Sequence, residues 1–182
     1  SMRSPAGSGT NDHLKITGDI SDLNMAGDGY SAMAWVKVIS AGSGQGIIML
    51  GACCAPRQGY TVNLENDGRI RMWGGSDRDN SNYNVYSRAS VADNRWHHIG
   101  IRVTRARIEV MVDGQVSGTY NGTNLPTSPS QANTNDSHGQ GNPDIGGMGI
   151  SSRRGADVLI DEVRVYNSAL SNDDWDSAMQ GN

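Results

Sequence analysis

Two hairpin signatures constrain this chain more than any other feature. In YTVNLENDGRIRMW, residues 60–73, Tyr60, Val62 and Leu64 alternate with other side chains before Asn66-Asp67-Gly68, and Ile70 and Met72 alternate after it. In RIEVMVDGQVSGTY, Asp113-Gly114 turns one alternating run into the next. Asp-Gly between period-two runs is the strongest short-range signal for an antiparallel hairpin. Other short runs surround these two: HLKIT with Leu14 and Ile16, YSAMAWVKVI with Met33, Trp35, Val36 and Val38, IIML, WHHIGIRVT and VLIDEVRVY. Many short strands separated by turn residues predict an all-β chain folded as an antiparallel β-sandwich. Only the tail, SNDDWDSAMQGN, has helical signals: Ser171 as N-cap, Asp173 and Asp174 in the first turn, and Gly181 near the end.

Composition supports this reading. Three Glu and two Lys stand against sixteen Asp and sixteen Asn, which disfavours long helices and favours turns and oxygen-rich loops. With 182 residues the chain suits one domain that buries a core without staples. Residues 1–10, SMRSPAGSGT, have the composition of a tag remnant and leader, which leaves a single domain over residues 11–182. The net charge of −4 gives no electrostatic reason to bind nucleic acid or an anionic membrane. No apolar run approaches the roughly 20 residues of a membrane helix. The two cysteines, Cys53-Cys54, are adjacent and exclude a zinc ribbon or a multi-bridge scaffold. They are two plain thiols near the core, a vicinal disulfide in a loop, or a link to another chain.

Several motifs occur in a fixed order: AMAWVKV around Trp35, DGRIRMW, NRWHHIGIRV, IEVMVDGQV, IGG, and LIDEVRVYNSALSNDDW. This series resembles the laminin-G-like members of the concanavalin-A-like lectin/glucanase superfamily over about residues 11–179. The resemblance implies a jelly roll of two antiparallel sheets, with the first strand, HLKIT, beside the last, VLIDEVRVY. It leaves function open, since the fold hosts enzymes, lectins and protein-binding modules.

Catalysis is not expected. The superfamily's glucanases carry an E-x-D-x-x-E strand, because acid and nucleophile must stand about 5 Å apart; Glu65, Glu109 and Glu162 do not fall in that pattern. The Gln-x-His of the lyase relatives is also missing, and IGGMGISSRRG lacks the acidic cluster of the pentraxin calcium site. The resemblance implies a structural Ca²⁺ where the first strand meets the last. Matching residues are Asp161 with Asp19 or Asp28, and Ca²⁺ takes oxygen ligands of this kind. Ordinary turn and strand roles for these aspartates are the alternative.

Sugars want an aromatic platform beside hydrogen-bonding side chains. Trp35, Trp96 and Trp175 sit in contexts that predict packing. Trp73 opens the densest aromatic and polar cluster, with Asp77, Asp79, Asn80, Asn82, Tyr83 and Tyr86, which is also what a hairpin loop with a half-buried Trp73 would contain. The long segment 121–143 and the Cys53–Pro56 turn are expected to converge on the same rim. Asn121-Gly122-Thr123 and Asn135-Asp136-Ser137 fit the N-glycosylation pattern, which matters only in a eukaryotic secretory path. The expected function is a non-catalytic, extracellular carbohydrate-binding or adhesion module of a larger protein, monomeric as an isolated domain. The alternative is a protein-binding or architectural module without sugar affinity.

Overall fold

The computed structural model describes residues 2–4, 14–15, 28–42, 45–51, 59–75, 82–125, 144–146 and 156–181. Among the described residues twelve strands form two antiparallel sheets. They are β1 (Met2–Ser4), β2 (Leu14–Lys15), β3 (Gly29–Ser40), β4 (Gln45–Gly51), β5 (Gly59–Leu64), β6 (Arg69–Gly75), β7 (Asn82–Ser90), β8 (Trp96–Thr104), β9 (Arg107–Val112), β10 (Gln115–Asn121), β11 (Asp144–Ile145) and β12 (Asp157–Tyr166). One sheet, here sheet A, runs β1-β12-β3-β8-β9-β10; sheet B runs β2-β11-β4-β5-β6-β7. This is the expected β-sandwich, and the helix α1 (Asn172–Met179) is the expected tail.

Period-two alternation decides what faces inward. From sheet A, Tyr30, Ala32, Ala34, Val36 and Val38 of β3 point into the sandwich with Ile99, Ile101 and Val103 of β8. From sheet B they meet Tyr60, Val62 and Leu64 of β5, Ile70 and Met72 of β6, and Val85 of β7. Both hairpin signals form turns: Gly68 has φ +77°, and Asp113 and Gly114 have φ +49° and +76°. Positive φ at both central residues is the type I′ requirement, which Asp-Gly meets at low cost.

Helix α1 closes the outer face of sheet A. Ser171 caps it, its hydroxyl accepting from the Asp174 backbone N–H at 3.1 Å. Trp175 is fully buried with Met33, Met111 and Ala178. It sits over Gly100, where an added Cβ would lie 2.8 Å from the Trp175 ring and 2.3 Å from the Ala32 carbonyl oxygen. A bulge in β12, with Glu162 at φ +49°, turns Arg164 so that it donates to the Ala178 carbonyl at 2.6 Å. A cation at the helix C-terminus is favourable.

Three expectations change. Met2–Ser4, inside the expected leader, is a strand that pairs with β12 from Met2↔Ile160 to Ser4↔Val158. HLKIT does not lie beside the last strand: Leu14–Lys15 pairs with β11 in the other sheet. Trp96 is 40% exposed, because it opposes Lys37 at the outer end of sheet A, beyond the cover of α1.

Candidate functional site

The outer face of sheet B carries no helix among the described residues. Its register builds two cross-strand rows. Thr61 of β5 faces Trp73 of β6, which faces Asn84 of β7. One step along, Asn63 faces Arg71, which faces Tyr86. A third row, Gly51–Gly59–Gly75, consists of glycines in register beyond Trp73.

Arg71 is the centre of this face. Its guanidinium carbon lies 5.2 Å from the Trp73 ring centroid and 5.5 Å from that of Tyr86. Its Nε and Nη2 donate to Asn84 Oδ1, the first at 2.8 Å, and its Nη1 donates to Glu65 Oε1 at 3.3 Å. Arg69 extends the stack, 5.0 Å from the Tyr86 centroid and paired with Asp67 at 2.6 Å. Hydrogen bonds from the Arg69 backbone and side chain hold the Asp67 carboxyl below its usual range. Cation and ring planes thus alternate as Trp73, Arg71, Tyr86, Arg69, an arrangement that holds the aromatic faces in place. Beneath them Asn63 Nδ2 donates to Thr61 Oγ1 at 3.1 Å, and that hydroxyl donates to the Trp73 carbonyl at 3.2 Å. Asn63 is 1% exposed, and its Oδ1 has no hydrogen-bond partner among the described residues.

Trp73 and Tyr86, expected together, do share this face; Trp73 is half-buried and Tyr86 is 38% exposed. Tyr83 is a correction. It lies three residues before Tyr86, so alternation turns it inward, where it is 6% exposed with its ring 5.3 Å from Tyr120. Asn82 is the first residue of β7, in register with Gly75. Asp77, Asp79 and Asn80 lie outside the described residues, as do Cys53, Cys54 and Asp19. The strands that flank those loops end side by side: β4 at Gly51 and β6 at Gly75 both register with Gly59. The Tyr120–Tyr83 contact brings the end of β10 to the same rim.

The metal expectation is also corrected in part. Asp28 is solvent-exposed and pairs with Arg105 at 3.0 Å. Asp161 registers with Trp35, seven residues further along β3, so the two aspartates stand about 23 Å apart at 3.3 Å per residue and cannot share an ion. Among the described residues no group of three His, Cys, Asp or Glu side chains is placed to hold a metal.

The histidine pair divides by environment. His97 lies between two carboxylates, Nδ1 at 2.8 Å from Asp113 and Nε2 at 2.9 Å from Asp93. Burial works against its charge, but the hydrogen bonds to Asp113 and Asp93 outweigh it and raise its pKa. His98 lies between Trp35 and Trp175, with ring centroids 5.3 and 5.8 Å away. Burial pushes its pKa down to about 4, so it is neutral at pH 7. Both residues hold the scaffold on the sheet opposite the candidate face.

A laminin-G family model described as Concanavalin A-like lectin/glucanases superfamily matches residues 8–174. The chain belongs to that superfamily. No curated protein matches it. Among solved structures, this superfamily member is similar to the botulinum neurotoxin serotype D ligand-binding domain in complex with N-acetylneuraminic acid (11% identity, TM-score 0.70, 99% of this chain and 42% of that one). It is similar to the binding domain of Paraclostridial Mosquitocidal Protein 1 (14%, 0.71, 98% and 42%). It also resembles a botulinum neurotoxin type C structure described by cell entry dependent upon interaction with two ganglioside molecules (11%, 0.67, 97% and 42%). The chain therefore spans about two fifths of the length of those structures. At these identities the likeness establishes the fold.

The superfamily member's site residues that sequence reasoning missed are Thr61, Asn63, Glu65, Arg71 and Asn84. A signal for them was present. In YTVNL and RIRMW the hydrophobic residues occupy every second position, so the polar residues and Trp73 between them must share the other face.

Proposed function

We propose that this domain is a non-catalytic carbohydrate-binding module that takes its ligand on the outer face of sheet B. The observation that carries the reading is the stack of Trp73, Arg71, Tyr86 and Arg69 beside Asn84 and Glu65. Exposed aromatic faces pack against the apolar side of a sugar ring, while neighbouring amide and guanidinium groups bond its hydroxyls. Fixing the aromatic side chains in advance lowers the entropy lost on binding. The similar structures described as binding gangliosides or N-acetylneuraminic acid support a glycan as partner. We place the module in an extracellular, multidomain protein, where weak sites on several modules add up.

The test is a glycan array with the intact domain, Trp73→Ala and Tyr86→Ala. Binding lost in both variants supports the reading. Array binding that both variants retain would overturn it. A protein-binding module has one observation in its favour: Trp96 and Ile39 are 40% and 43% exposed on the outer face of sheet A. No glycan binding, together with capture of a protein partner that Trp96→Ala abolishes, would decide for that reading.

A further inference from the structure

Arginines in this domain are paired. Among the described residues, seven stand within 3.3 Å of a carboxylate oxygen, from Arg69 with Asp67 to Arg164 with Glu162. Arg88 has no such partner there, and its guanidinium makes no hydrogen bond to a described residue. Want of acid is not the reason, since 19 Asp and Glu stand against 15 Lys and Arg. Arg88 is solvent-exposed on β7, two residues past Tyr86, so alternation sets it on the outer face of sheet B. Its backbone N–H donates to Ser117 Oγ of β10 at 3.0 Å, which fixes its place on the strand. Tyr86 and Ser90, on either side of it, register with Arg71 and Arg69. Glu65 and Asp67 already neutralise those two arginines. Around Tyr86 the one uncompensated charge among the described residues is therefore a cation.

We propose that this face takes an acidic oligosaccharide, with one ring on Trp73 and a carboxylate or sulfate ester on Arg88; the inference rests on the glycan-binding reading above. The planar guanidinium fork matches the paired oxygens of either anion, and such charge-assisted bonds are stronger than those to a neutral hydroxyl. Spacing sets the size of the ligand. Asn84 is level with Trp73, and Arg88 lies four residues further along β7, about 13 Å at 3.3 Å per residue. The stacked ring and the acidic group therefore belong to different residues of one sugar chain, which is at least a disaccharide. One open cation in a chain of net charge −4 does not suit a nucleic acid, whose binding calls for many phosphate contacts.

The experiment is calorimetric titration of the intact domain at low salt with matched oligosaccharides that differ only in charge. Oligogalacturonate against its methyl ester tests the carboxylate, and a sulfated galactan oligosaccharide against its desulfated form tests the sulfate. At least one acidic member is expected to bind about tenfold tighter than its neutral partner, the worth of one charge-assisted hydrogen bond. The pair that shows the preference identifies the anion. Arg88→Gln should bring that ratio to about one, and Arg88→Glu should bring it below one. Both variants should keep the parent Tm, because the guanidinium holds no described partner. Equal affinities within both pairs, or a ratio that Arg88→Gln and Arg88→Glu leave unchanged, would overturn the assignment and leave the glycan reading standing. No binding of any sugar would overturn both.

Discussion

Trp73 and Tyr83 are ten residues apart in one hairpin, yet the structure assigns them opposite energetic roles. Tyr83 is 6% exposed in the core between the sheets, with its ring 5.3 Å from Tyr120. Truncating a buried aromatic to alanine costs about 3–5 kcal/mol in lost transfer energy and cavity. For a domain of this size each kcal/mol lowers Tm by about 2–4 °C, so Tyr83→Ala should lose about 6–20 °C. Trp73 lies on the outer face, half-buried, and its contact with Arg71 is of the exposed kind, worth about 0.5–1 kcal/mol. The Thr61 hydroxyl bonds the Trp73 backbone carbonyl, so that bond survives the substitution. Trp73→Ala should cost about 1 kcal/mol, or about 2–4 °C.

The assay is urea unfolding of both variants beside the parent, followed by glycan binding for each. The expected pattern is crossed. Trp73→Ala lowers its midpoint only slightly and loses binding, whereas Tyr83→Ala lowers it several times further and keeps binding under conditions where it is folded. Equal losses of stability would mean that the Trp73 ring is structural, and the outer face of sheet B would lose its platform.

Three further outcomes are expected. The raised His97 pKa means that its clamp between Asp93 and Asp113 stabilises fully below the unfolded value of about 6.5 and is lost as pH rises through the folded value. Parent Tm should therefore fall more steeply above about pH 6.5 than that of His97→Gln, and parallel curves would refute the clamp. With Asp28 removed from the set, a structural Ca²⁺, if the chain binds one, would rest on Asp161 and Asp19. Ca²⁺ should raise Tm in the parent and in Asp28→Ala but not in Asp161→Ala, and a Tm unmoved by chelation removes the ion. If Cys53 and Cys54 form a vicinal bridge, the intact mass lies two hydrogens below the reduced mass without dimer, and labelling of both thiols in the native protein excludes it.

The fold was legible because its signals are local. Asp113-Gly114 and Asn66-Asp67-Gly68 dictate turns whatever surrounds them, and Ser171 caps α1 through a bond to a residue three positions on. Errors arose where one strand's environment depends on a distant partner. Trp96 sits on a strand, but whether it is covered depends on how far α1 reaches over sheet A, some eighty residues away. Adjacency of strands alone lets Asp28 and Asp161 share an ion; the register of Asp161 with Trp35 sets the distance and separates them.

The site shows a different limit. Tyr83 and Tyr86 are neighbours along the sequence, but their odd spacing within one strand puts them on opposite faces. Side chains on one sheet face are two apart along a strand and register-paired across it. Thr61, Asn63, Arg71 and Trp73 meet that rule within a single hairpin, folded about a turn that the sequence marks plainly. What no local pattern shows is the state of each polar atom. That Thr61 bonds the Trp73 carbonyl while the buried Asn63 Oδ1 has no partner among the described residues follows only from strands packed together, which a pattern along one strand does not carry.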